Sequence, residues 1–187
     1  FPTRRSSDLM LASLELGFQD APCLRFIAWP EILGRAPQAV RASTTPFRAP
    51  VPSGGHLVPD GLFGIEYGQG GPKTYRFFAL EADRGTMPVV RSNPNQTSFL
   101  AKLAVYREII AHQVHKTHWG VPNLLVLTVT TGETRMMDML KQLEGQTGGT
   151  AAFLFKAVGA SSLTTPAMGL LSEPWARAGS PPLRIDA

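Results

Sequence analysis

A single cysteine, Cys23, stands among 187 residues, so no internal disulfide can form and nothing in the chain asks for an oxidising compartment. Long apolar runs are equally scarce. The longest largely apolar stretch, Leu124–Val129, falls far short of the roughly 20 residues that a bilayer-spanning helix needs. A charged-then-apolar secretory leader is not visible either, so the expectation is a chain without a membrane span and with a cytoplasmic location. There is no internal repeat and no low-complexity tract. Charge of both signs is modest at 17%, and together with 43% hydrophobic residues this is the composition of one ordinary globular domain with a real core. The net charge of +4 and the pI near 9.6 admit a polyanionic partner without identifying one.

Several chemistries lack their residues. Gly68, Gly70 and Gly71 lie between two strand-like runs with no helix after them, the wrong context for a phosphate loop. No nucleophile elbow is present, and Cys23 falls within a short apolar run that reads as a buried strand, so a Ser-His-Asp or Cys-His site is not supported. His112, His115 and His118 are spaced by three, but no cysteine or nearby acid completes a metal set. They read instead as histidines near a helix C-terminus, where the helix dipole favours positive charge. Arg107 and Lys116 on the same stretch are read as solubilising helix residues before they are read as phosphate contacts.

The first nine residues, FPTRRSSDL, read as the translation of a common sequencing-adapter DNA. On that reading residues 1–9 are an artefact outside the fold, and the natural protein begins upstream of Met10. Setting them aside removes Arg4, Arg5 and Asp8 and lowers the net charge from +4 to +3. Residues 10–158 then form the α/β domain, and 159–187, rich in proline and glycine, an irregular tail that Trp175 pins to the surface.

Within the domain, Met10–Phe18 has the apolar face of a helix closing near Gly17. Cys23–Trp29, bounded by Pro22 and Pro30, suits a strand. Ala36–Gly55, with four prolines and paired glycines, suits a loop. Leu57–Tyr67 and Thr74–Asp83 flank a glycine-rich turn and read as an antiparallel hairpin. Gly85–Asn95 is turn-rich. Thr97 to about His115 carries a helical apolar stripe through Phe99, Leu103, Tyr106 and Ile110. Leu124–Thr130 is a central strand, Thr134–Gln146 a helix, and Ala151–Phe155 a last strand. The order is helix, three strands, helix, strand, helix, strand: α-β-β-β-α-β-α-β.

Side chains alternate along a strand, so in YRFFALEAD the residues Phe77, Ala79, Glu81 and Asp83 share one face. Two carboxylates at that spacing repel unless a cation, a metal or solvent separates them. If the hairpin forms, Asp60 reaches the same sheet end. Three converging acids would suit Mg²⁺, which prefers oxygen ligands and can activate a water against a phosphodiester. Lys102 would then orient that water or stabilise the charged transition state. The same residues also fit a plainer description: Pro59-Asp60-Gly61 and Asp83-Arg84-Gly85-Thr86 are ordinary turn signatures, and Lys102 fits a solvated helix face.

These motifs carry a resemblance. Pro59-Asp60-Gly61, Leu80-Glu81-Ala82-Asp83-Arg84-Gly85-Thr86, Lys102 with Tyr106 in KLAVY, and NLLVLTVTT leading to Arg135 make Cys23–Val158 similar to the replication-relaxation family of bacterial proteins linked to plasmid replication and mobilisation. The resemblance implies a restriction-endonuclease-like fold, a central mixed sheet flanked by helices. It also implies action on plasmid or mobile-element DNA, with replication or mobilisation proteins as further partners and a winged-helix segment upstream of the core. In such folds an Asp and an acidic-x-Lys triplet form the metal site. Asp60 matches the first Asp and Glu81 the acid of the triplet, while Asp83 occupies the lysine's place. That departure reverses the local charge, and Lys102 compensates from the helix. Its spacing from Tyr106 puts both on one helical face, similar to a Gln-x-x-x-Tyr motif in relatives of the fold. The expected site is therefore Asp60, Glu81, Asp83 and Lys102, the three acids binding Mg²⁺, with Tyr106 and Arg84 beside them. The alternative is a DNA- or protein-docking module in which the nuclease site has decayed.

Overall fold

The computed structural model describes residues 2–68, 71–85, 88–89, 98–159 and 169–187. Its centre is a seven-stranded mixed sheet of β1 (Leu24–Ile27), β4 (Gly61–Tyr67), β5 (Thr74–Asp83), β6 (Leu125–Thr130), β7 (Phe153–Ala157), β8 (Trp175–Arg177) and β9 (Ser180–Leu183), in that spatial order. β1, β4 and β5 run antiparallel, β5, β6 and β7 parallel, and β8 and β9 antiparallel again. The two parallel steps need crossovers. Helix α4 (Phe99–Ala111), followed by the short α5 (Val114–Trp119), supplies the first, and α6 (Glu133–Thr147) the second. The expected order α-β-β-β-α-β-α-β is present as α1 (Pro2–Gly17), β1, β4, β5, α4, β6, α6 and β7. The fold class is α/β, as the sequence indicates.

Alternation along β5 and β6 divides the core in two. Phe77, Ala79 and Val126 face α4 and α6, packing with Leu103, Tyr106, Met139 and Leu143. Phe78, Leu80, Leu127 and Val129 face the other way, onto Met10 and Leu14 of α1. Strands covered on both faces are apolar nearly throughout, which is why Leu124–Val129 reads as a continuous run. The Phe77 ring is accommodated across the hairpin by Gly64 of β4. This glycine lies opposite Phe77, and a Cβ there would meet the Phe77 ring at 2.8 Å.

Five expectations are corrected. Cys23 is exposed and precedes the strand, which begins at Leu24 and is only half-buried, because β1 is the sheet edge. Pro30 does not end that strand. It occupies the first turn of α2 (Trp29–Arg35), where its missing N–H costs nothing. The Ala36–Gly55 stretch holds α3 (Gln38–Arg41) and β2 (Ala49–Pro50), which pairs with β3 (His56–Leu57). The helix expected from Thr97 to His115 stops at Ala111, since Gln113 takes a left-handed φ of 56° before the chain re-enters α5. Finally, 159–187 is not irregular throughout: β8 and β9 extend the sheet. Trp175 lies fully buried in the α1-facing core, its indole N–H donating to the Leu170 carbonyl at 2.9 Å.

The adapter-like residues are continuous with the fold. Residues from Pro2 onward are the first half of α1, and Ser7 is buried. Most of Gly85–Asn95, along with Thr97, lies outside the described residues.

Candidate functional site

The β4–β5 hairpin pairs as expected, with Gly61 opposite Leu80. This register carries Asp60, the residue before β4, to the end of β5. Its Oδ2 accepts a hydrogen bond from the Ala82 N–H at 3.0 Å while the residue stays exposed. Asp60 is thus tied to the backbone beside Glu81.

Glu81 itself is only 3% exposed. An isolated carboxylate at such a depth would be very costly, and α4 supplies both partners that offset the cost. The Lys102 ammonium forms an ion pair with Glu81 Oε2, and the Tyr106 hydroxyl donates to Oε1. Both come from one face of α4, as the four-residue spacing requires. The helix is set in place by Ser98, whose Oγ accepts from the Ala101 N–H at 3.2 Å as its N-cap, and by the buried Phe99, Leu103 and Ile109. Burial pushes the Glu81 carboxyl up to about 7; Lys102 opposes that rise and the nearby Asp60 charge adds to it. Tyr106, wholly buried beside Glu81, is held well above the usual phenol range by burial first and by that carboxylate second.

Asp83 shares the strand face of Glu81 but belongs to a different contact. The Arg135 guanidinium at the start of α6 grips it with Nε to Oδ2 at 2.5 Å and Nη2 to Oδ1 at 2.8 Å, and Thr130 Oγ1 donates to Oδ2 at 2.8 Å. The bidentate hold turns Asp83 towards α6. The expected three-acid cluster is therefore divided. Asp60, Glu81, Lys102 and Tyr106 come together, while Asp83 is diverted to Arg135. Among the described residues no group of three His, Cys, Asp or Glu side chains could hold a metal ion. Arg84 follows β5, partly buried, and Thr86 of the same motif lies outside the described residues.

Two polar residues of this sheet end were not singled out from the sequence. Thr130 faces Asp83 across the parallel β5–β6 pair, and Thr128 faces Glu81 with its hydroxyl fully buried and without a hydrogen-bond partner among the described residues. The signal was the period-two pattern of threonines in LVLTVT, legible only once the strand pairing is known. The histidines set aside do not converge: His112 is exposed, His115 is buried, and His118 Nε2 lies 3.2 Å from the Pro46 carbonyl.

A cleft of about 640 Å³ opens beside Asp60, walled by α1, the start of α2 and the loop from Thr44 to Arg48. The cluster is thus a buried Glu81–Tyr106 pair joined by a partly exposed Lys102, with an exposed aspartate at the cleft, and its two carboxyl groups offer hard oxygen donors. No family model, curated protein or solved structure matches the chain.

Proposed function

We propose that this chain is a nuclease-type module acting on plasmid or mobile-element DNA, as its replication-relaxation resemblance implies, with Asp60 and Glu81 as the metal-side acids and Lys102 as the accompanying cation. The observation that carries the reading is the meeting of Asp60, Glu81 and Lys102, from a loop, a strand and a helix, at one sheet end beside an open cleft.

The donor set fits Mg²⁺ in kind, because both acids offer hard carboxylate oxygens. Asp60 is exposed, and each oxygen of Glu81 has more than one lone-pair direction, so its bonds to Lys102 and Tyr106 do not exhaust its acceptor capacity. When bound, the ion would polarise a phosphoryl oxygen and acidify a water. The chain's own residues do the rest. Lys102 favours ionised Glu81 against its burial and places positive charge where a phosphodiester under attack gains negative charge. Tyr106 fixes the orientation of the carboxylate, and the Ala82 N–H fixes that of Asp60.

The test is a Mg²⁺ or Mn²⁺ titration followed by calorimetry, alongside plasmid nicking, for the wild type, Glu81→Ala and Lys102→Ala. Glu81→Ala should lose metal binding and nicking together. Lys102→Ala should slow nicking by about 10²-fold while weakening metal binding less than Glu81→Ala does, since both acids remain but Glu81 loses the ammonium that favours its ionised form.

One observation favours the second reading, a non-catalytic module docking onto DNA or a replication or mobilisation protein. Glu81 and Asp83 are each already matched by a protein cation, so this sheet end is electrostatically satisfied without an added ion. A wild type that neither binds metal nor nicks, yet retains such a partner, would establish that alternative. Among the described residues no helix is long and apolar enough to cross a membrane.

A further inference from the structure

We infer that the cleft beside Asp60 is a binding site for a single-stranded nucleic-acid segment, with an unstacked base against Trp29 and Phe47 and the backbone phosphate at Arg48. This assignment names the substrate form of the site proposed above and rests on that reading.

Trp29 opens α2, and Phe47 lies in the loop before β2. Their rings stack with centroids 4.0 Å apart, and both side chains are only partly buried, so the pair gives the cleft an aromatic wall. The loop bearing Phe47 is anchored at its neighbour Pro46, whose carbonyl lies 3.2 Å from His118 Nε2. Beside the wall stand Thr44, Thr45 and Arg48, the last exposed and with no ion pair among the described residues. Asp8 and Asp60 also line the cleft, so it is not a simple anion site. Its ligand must combine a flat ring, an anionic group and hydrogen-bond donors, and a nucleotide carries all three. The volume lies within the range of sites that enclose small organic groups. A base still paired and stacked in a duplex cannot lie against a recessed aromatic wall; one in a single strand can. Because Asp60 lines the cleft and is tied to the backbone beside Glu81, a strand seated here passes its phosphodiester beside Asp60.

Trp119 and Trp175 are fully buried, which leaves Trp29 as the partly exposed tryptophan among three. Titrating the full chain with an oligothymidylate in EDTA, where metal-dependent cutting is suppressed, should quench the Trp29 emission. Anisotropy of a labelled oligothymidylate should show Trp29→Ala weakening binding on the order of tenfold and Trp29→Phe retaining most of it. Arg48→Ala, an exposed change that does not threaten folding, should weaken binding and lower the salt dependence by about 0.7 in log–log slope, because one phosphate is no longer neutralised. A duplex of equal length should bind at least about tenfold more weakly than the single strand. Unquenched Trp29, unchanged affinity in Arg48→Ala, or equal binding of the duplex overturns the assignment. Oligothymidylate binding that depends on Trp29 and Arg48 without any metal-dependent nicking would remove the nuclease reading and leave the cleft. Nicking by a protein whose strand affinity ignores both residues would do the reverse.

Discussion

Two opposed effects set the proton affinity of Glu81: burial away from water favours the neutral acid, and the Lys102 ammonium favours the carboxylate. Burial prevails and the group titrates near 7, against an ordinary value of 4.5. Below about pH 4.5 the folded and unfolded chains both hold this proton and no penalty arises. Between 4.5 and 7 the unfolded chain releases it while the folded chain keeps it, so stability falls as pH rises, by a total on the order of 3 kcal/mol above pH 7. His115 and His118, both held below the usual imidazole range mainly by burial, act in the opposite direction near pH 6.5. Their effect is common to any variant at position 81 and cancels in a comparison. Chemical denaturation from pH 4.5 to 8 should therefore show wild type losing stability relative to Glu81→Gln, with the difference levelling off above pH 7. Parallel curves would mean that Glu81 is ionised throughout.

At the level of elements, the site depends on how closely β4 and β5 lie and how α4 is seated across them. Gly64 permits the first. Its missing Cβ leaves room for the Phe77 ring, which is fully buried and closed in by Ile27 on the neighbouring strand. With nowhere for that ring to swing, Gly64→Ala should cost about 1–3 kcal/mol through overpacking, outweighing the small gain from a less flexible unfolded chain. A urea midpoint shifted down at constant slope is the expected result, and an unchanged or raised midpoint would show that the Phe77 ring can shift to make room. The second requirement falls to α4. Ser98 caps its first turn and Gln113 interrupts the chain just beyond the C-cap His112, so Tyr106 lies at mid-helix and Lys102 stands at the end of the first turn, which the Ser98 cap holds against fraying. Asp83 answers to α6 instead, through Arg135. Two crossover helices thus claim alternate acids of one strand.

The whole molecule is a sheet covered on both faces, and α1 supplies much of the cover on the side away from α4 and α6. Removing Phe1–Leu9 would leave only Met10–Gly17 of that helix, a length that is marginal on its own, and would take away the buried Ser7. Met10 and Leu14 would keep their places in the core. The truncated chain should accordingly unfold with a loss of about 1–2 kcal/mol, read as a lowered urea midpoint, and an unchanged midpoint would show that the second half of α1 is held by its apolar contacts alone. The element types that carry the site were legible in the sequence because they rest on local chemistry. Thr74–Asp83 read as a strand run beside a glycine-rich turn, its faces given by period-two alternation, and a period near 3.6 marked Thr97 to about His115, of which Phe99–Ala111 is the helix α4. The same periodicities placed Glu81 with Asp83 on one strand face and Lys102 with Tyr106 on one helix face. Less legible were the short elements within Ala36–Gly55 and the strands after residue 169, where prolines and glycines read as loop and only pairing with distant strands makes a sheet edge. Which acid meets which cation was decided by tertiary structure alone. Glu81 and Asp83 are equivalent in sequence pattern, and it is the parallel register of β5 with β6, which brings Thr130 beside Asp83 and starts α6 next to it, that gives Asp83 to Arg135 and leaves Glu81 to Lys102. Ionic partners depend on distances of a few ångströms between segments far apart in the chain, and no periodicity encodes them.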